Sequence, residues 1–270
     1  MDDHSHVSGD LTGQGLPGLV LLLPLAWAAA AYLIAAAATR RRGIWPVRRT
    51  LFWLAGLAAA AAALAGPVAD AAHTDFTAHM AAHLLIGMAA PLLLVSAAPV
   101  SLALRYLRPR PARALTRVLR SVPVRVLTHP VTAAVLNVGG LWALYATGLY
   151  QASHQIEGLR LLIHAHMLAA GYLLTAALIG TDPDPHRAGY RTRAVILVAT
   201  LAGHDILAKY LYANPPAGIP EAQAQSGAQL MYYGGDTIHL IIITIFCYGW
   251  YRRTRPRAGA QTITAGPGPA

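Results

Sequence analysis

Along the chain, apolar residues gather into runs of about twenty, separated by short connections rich in arginine, glycine and proline. A run of that length crosses the hydrocarbon core of a bilayer as one helix rising about 1.5 Å per residue. Seven runs are predicted as helical spans, at about 16–39, 50–67, 78–104, 131–150, 159–180, 193–212 and 229–251. The second, from Leu51 to Gly66, is short and alanine-rich. The pattern predicts an all-α protein, a polytopic membrane bundle of seven transmembrane helices. An acidic, histidine-bearing segment (1–15) precedes the membrane domain (16–252), and a tail of Gly, Ala, Pro and Thr (253–270) reads as disordered.

Composition agrees. The chain has 270 residues, 56% hydrophobic and 12% charged, and a soluble domain carries roughly twice that charge. The net charge of +10 would suit nucleic acid, but the arginines lie between hydrophobic runs and not on a surface of their own. No nucleic-acid partner is expected. The lone Cys247 excludes a disulfide framework and any paired-cysteine metal motif. Residues 1–15 are no basic signal-peptide leader, so the first span is expected to stay attached.

Charge also orients the spans. Arg40, Arg41, Arg42, Arg48 and Arg49 lie between spans one and two. Arg105, Arg108, Arg110, Arg113, Arg117, Arg120 and Arg125 lie between three and four. Arg187, Arg191 and Arg193 follow span five, and Arg252, Arg253, Arg255 and Arg257 follow span seven. With seven spans these 19 of the 21 basic residues fall on one side, facing Asp2, Asp3, Asp10, Asp70, Asp75, Glu157 and Glu221 on the other. The amino terminus is therefore expected outside and the carboxyl terminus in the cytoplasm. Arg113, Arg117 and Arg120 recur at helical spacing, which fits either an interfacial helix on anionic lipid or a solvated basic loop.

That orientation sorts the ionisable residues by depth. His79 and His83 fall within roughly the first 8 Å of span three, and His164 and His166 about 8–10 Å into span five. Asp236 and His239 lie roughly 10–15 Å into span seven, and His204, Asp205 and Lys209 roughly 5–12 Å below the outer end of span six. Four helices thus place ionisable groups in one outer layer, where such groups are costly unless they bind something.

The spacings suggest roles. His79 and His83 share a face one turn apart, and Met80 adds a thioether. This trio reads as a metal mouth. His164 and His166, two apart, point to nearly opposite faces, so one of them is expected at the same centre. Asp236 and His239 share a face as a ligating pair, or as a carboxylate orienting an imidazole, or as a structural interhelical bond. Asp205 and Lys209 have the spacing of a helical ion pair, with His204 beside them as a further ligand or supporting group.

Imidazole and thioether without thiolate suit copper, and imidazole alone would also suit zinc or haem iron. Copper, as Cu(I), is the expected ion. A b-type haem protein is the second reading, with His83 and His166 as axial ligands. A copper transporter is the third, although the inner half of the spans offers no polar path. A retinal protein is disfavoured because the only lysine, Lys209, lies near the outer end of its span. No nucleophile–base–acid set or phosphate loop occurs, so no enzyme is expected. Asp2-Asp3-His4-Ser5-His6 adds a weak metal-collecting hint outside.

Several short stretches resemble a known family. His79-Met80-x-x-His83-Leu84-Leu85, with Ala90-Pro91-Leu92-Leu93-Leu94 and Ala98-Pro99-Val100, looks like the third-span signature of the multi-spanning bacterial cytochrome c oxidase assembly factor family CtaG. His129-Pro130, Ile163-His164-x-His166 with Gly171-Tyr172, and Gly180-Thr181-Asp182-Pro183 are similar to later family elements. Gln229-Leu230-Met231-Tyr232-Tyr233-Gly234-Gly235-Asp236 resembles the family's last span, and the likeness covers roughly 45–252. The resemblance implies a part in maturing haem–copper oxidases, most simply copper delivery to the catalytic subunit. His79, His83 and one span-five histidine would then be candidate ligands. The expected partners are a haem–copper oxidase subunit and membrane lipids, with a homo-oligomer left open.

Overall fold

A computed structural model describes residues 15–255, so the Asp2–His6 stretch and the tail beyond Arg255 lie outside the described residues. The helices run α1 (Gly15–Ala38), α2 (Val47–Leu64), α3 (Phe76–Ser96), α4 (Pro99–Tyr106), α5 (Pro109–Leu119) and α6 (Val122–Leu127). There follow α7 (Pro130–Ala146), α8 (Leu149–Gln155), α9 (Glu157–Ile179), α10 (Tyr190–Ala213) and α11 (Glu221–Thr254). No strand occurs among the described residues.

Local chemistry sets the helix ends. Proline occupies the first position of α4, α5 and α7, where a missing N–H leaves no bond unmade. Asp75 caps α3, its carboxylate accepting from the Thr77 N–H at 2.9 Å. Among the described residues, five helices are long and apolar enough to cross a membrane: α2 with its extension to Ala71, α3, α9, α10 and α11. A sixth arises if α7 and α8, bent by 77°, count as one. In α1 the apolar stretch is Leu22–Ala38. Exposed Leu162, Val195, Val198, Leu240 and Ile241 give these helices the apolar exterior that lipid requires.

Two expected spans are corrected. The third does not run to 104. Ala98, in the left-handed region at φ 52°, and Pro99 end α3 and start α4 as a separate helix. The fourth stops at Ala146, and the chain turns through Thr147 and Gly148 into α8. The basic connection is helical as α5, which selects the helix over the loop. Arg193, expected in a connection, is buried in the first turn of α10. Its Nη1 donates to the Leu178 carbonyl at 2.8 Å, and its guanidinium lies 4.1 Å from the Tyr190 ring centroid.

Two wide π turns interrupt the bundle, at Leu85–Ala89 in α3 and Val135–Gly139 in α7. In α3 the cause is Pro91, which has no N–H to offer the Gly87 carbonyl one turn back. Gly171 of α9 packs on that carbonyl so closely that a Cβ would overlap it. The connections gather at two ends. Residues 72–76, 150–155 and 217–219 meet at one, here the loop end. At the other, the arginine end, Asp182 holds the start of α4 by accepting from the Val100 N–H (3.1 Å), the Ser101 N–H (2.7 Å) and the Ser101 hydroxyl (2.6 Å). Between them, an aromatic and methionine cluster fills the loop-end half, and Leu92, Leu178, Leu197, Ile242 and Phe246 fill the arginine-end half.

Candidate metal centre

Helix α3 presents His79, Met80 and His83 on successive turns, but the bundle divides them. His79 is half-buried, and its Nε2 lies 3.0 Å from the Tyr145 hydroxyl of α7. That hydroxyl in turn donates to the Met80 sulphur at 3.8 Å. Tyr150 and His154 of α8 complete the surroundings of His79, with ring centroids 5.0 and 6.3 Å away. Two of the three groups expected at the metal mouth, His79 and Met80, thus already have a partner in Tyr145.

His83, one turn deeper, is 3% exposed and packs towards α10. Its ring stacks on His204 of α10 at 6.1 Å, and His204 meets His239 of α11 edge-on at 5.2 Å. One ligand atom each of His204, Asp205 and His239 lie within 4.8 Å of one another. Neither nitrogen of His83 or His204 has a hydrogen-bond partner, and Nδ1 of His239 and Oδ1 of Asp205 have none either. Buried polar atoms are usually paired, since an unpaired one costs about 1–3 kcal/mol. Six such atoms in one cluster describe an open ligand set.

The rings border a cavity of about 30 Å³, which is room for a water-sized occupant. Gly87 of the first π turn and Asn137 of the second line it, with Thr175 and Thr200. Leu178, Leu197 and Ile242 close it towards the arginine end. Close backbone approach at Gly235 shapes the site, since a Cβ there would overlap the His204 ring, while one at Gly87 would meet His83 at ordinary contact distance. The paired glycines before Asp236 therefore let α11 carry His239 up against α10.

The remaining candidates fall as follows. Half-buried His164 lies within electrostatic reach of His79, on the mouth side. His166 is exposed and turned to α7, where Nε2 lies 3.0 Å from the Leu136 carbonyl in the second π turn. Asp236 is half-buried and close enough to Asp205 to act on it electrostatically. Asp205 and Lys209 make no direct ion pair, although Lys209 still acts on the carboxylate electrostatically. Asp205 Oδ1 turns to His204 Nδ1 at 3.6 Å, and Lys209 Nζ lies 5.2 Å from the Tyr232 ring centroid. At the rim, burial and the neighbouring Arg160 guanidinium hold His73 below the usual imidazole range.

The sequence reading missed Tyr145, Asn137 and His154. Asn137 alone left a signal, as a single amide inside an apolar run. Tyrosines at span ends are common on lipid interfaces, so nothing marked Tyr145 as a partner of His79.

Residues 30–253 match the cytochrome c oxidase caa3 assembly factor family (Caa3_CtaG). An uncharacterised protein of Mycobacterium bovis is 38% identical over 198 residues, covering 70% of this chain and 29% of its own length. An uncharacterised protein of Mycobacterium leprae is 35% identical over 173 residues, covering 61% of this chain and 26% of its own. The chain thus spans under a third of the length of these curated relatives. No solved structure matches it.

Proposed function

The chain belongs to the cytochrome c oxidase caa3 assembly factor family, and from that premise we propose that its task in assembly is to hold copper and pass it on. The ion, as Cu(I), sits among His83, His204 and His239, with Asp205 and Asp236 alongside. The receiver is the catalytic subunit of a haem–copper oxidase. The observation that carries this reading is the set of unpaired imidazole nitrogens on three different helices around one small cavity. Neutral imidazole is a good copper ligand, and a site with few ligands and no thiolate releases its ion readily. The donor set would also accept zinc, and copper is chosen because the client of the family is an oxidase.

The reading includes topology. Seven crossings of a bacterial cell membrane, with the amino terminus outside, place the histidines in the outer half. The gathering of 72–76, 150–155 and 217–219 at one end supports this, as does the contact of Asp182 with 100–101 at the other. We assign the chain no catalysis of its own. A haem between His83 and His166 is disfavoured, since the two are engaged with different helices and the cavity is far smaller than a macrocycle. Transport across the membrane is disfavoured by the apolar cluster below the histidines.

The test is copper per polypeptide after loading detergent-purified protein with Cu(I). Wild type is expected to hold about one ion, and a His83→Ala/His204→Ala variant to lose it. His79→Ala is expected to keep it. Copper retained by the double variant and lost from His79→Ala would return the centre to the mouth.

A further inference from the structure

The rings of the deep centre, His83, His204 and His239, are all buried. An open cleft of about 270 Å³, against about 30 Å³ for the deep cavity, lies at the loop end, on the His79 side of the bundle. His73, Asp75, Tyr150 and His154 line that cleft, and its inner wall is the Phe76–His79 turn of α3. We propose that this cleft is the inlet for copper and that Tyr145 is its gate: His154 captures the ion, His79 relays it, and displacement of Tyr145 admits it to His83. The proposal rests on the copper reading above and adds a route to it.

The hydrogen bonds prepare each histidine. His154 Nδ1 lies 3.0 Å from the Tyr150 carbonyl, an acceptor only, so Nδ1 carries the proton and Nε2 keeps a free lone pair. With the Tyr145 hydroxyl donating to Met80, His79 must donate to it through Nε2, which leaves Nδ1 as the free nitrogen. The rings of His154 and His79 are 6.3 Å apart, a distance a copper ion crosses by exchanging one imidazole for the next. The Tyr145 ring stands between the two α3 histidines, 6.0 Å from His79 and 6.3 Å from His83.

Moving Tyr145 aside frees the Met80 sulphur, while the lone pair on His79 Nδ1 is open throughout. An imidazole and a thioether then face the ion at the moment it must leave the cleft, a soft pair that suits Cu(I). The step changes ligands only: no electron moves, and the tyrosine keeps its proton. His73 takes no part, because its Nδ1 lies 3.2 Å from the Arg160 guanidinium.

The experiment times copper uptake by the full detergent-purified chain from the Cu(I)–bicinchoninate complex, following loss of the chelate colour. Tyr145→Phe keeps the ring and removes both hydrogen bonds, and it is expected to load roughly fivefold faster or more, the rate equivalent of about one hydrogen bond, with unchanged final copper. His154→Ala, at an exposed position, is expected to load slower by a similar factor with the same final copper. Uptake by wild type with unchanged rates in both variants overturns the inlet and leaves the centre standing. No uptake by wild type overturns both.

Discussion

Two polar assemblies hold this bundle's two ends, and they are built on opposite principles. At the arginine end, Asp182 accepts three hydrogen bonds from Val100 and Ser101, and Arg187 reaches back to the Asp182 carbonyl at 3.5 Å. The groups there are matched donor to acceptor within the chain. In the loop-end half, His83 and His204 are more deeply buried and make no hydrogen bond. The clamp is complete as it stands. The histidine layer leaves six polar atoms without a hydrogen-bond partner, and the proposed copper site rests on that contrast.

The contrast is broken most severely at the clamp. Asp182→Ala removes three bonds to a carboxylate and frees the start of α4, and about 3 kcal/mol or more of stability is expected to go. The thermal midpoint of the detergent-solubilised protein would show it, with Asp182→Asn recovering part. Next comes Gly235→Ala, which drives a methyl into the His204 ring. About 1–3 kcal/mol is expected to be lost, together with copper binding, because the ring must move. His83→Leu sharpens the comparison from the other side. It replaces an unpaired buried imidazole with an apolar group of similar size, so the metal-free protein is expected to change by less than about 1 kcal/mol or to gain. Its copper content should fall to background while its midpoint holds. Smallest of all, Asp205→Asn is expected to weaken copper by about tenfold at most, as a neighbouring acceptor would, measured by competition with a chelator.

Much of this was legible in the chain. The helical character, the layer of ionisable residues and the segregation of arginines follow from run length and charge, which depend on neighbours in sequence. His83, His204 and His239 could all be named in advance for the same reason. Their grouping could not. His79 and His83 look equivalent on a helical projection, and only the tertiary placement of Tyr145 beside His79 tells them apart. Asp205 and Lys209 have ion-pair spacing, but α11 puts Tyr232 beside the lysine and α10 turns the carboxylate to His204. The end of α3 was written in Ala98-Pro99, and the apolar run simply continued through it. The π turns depend on Pro91, on Gly171 from a distant helix, and on an opposite number in α7, a combination that no local pattern reports.

The central claim is that copper sits among imidazoles below Tyr145 and not at the mouth with Met80. X-ray absorption at the copper edge of the loaded wild-type protein tests it most directly. The account predicts a first shell of nitrogen or oxygen with the outer scattering pattern of imidazole rings, lost in the His83→Ala/His204→Ala variant. A sulphur shell that disappears in Met80→Leu would contradict it and place the resting ion at the mouth.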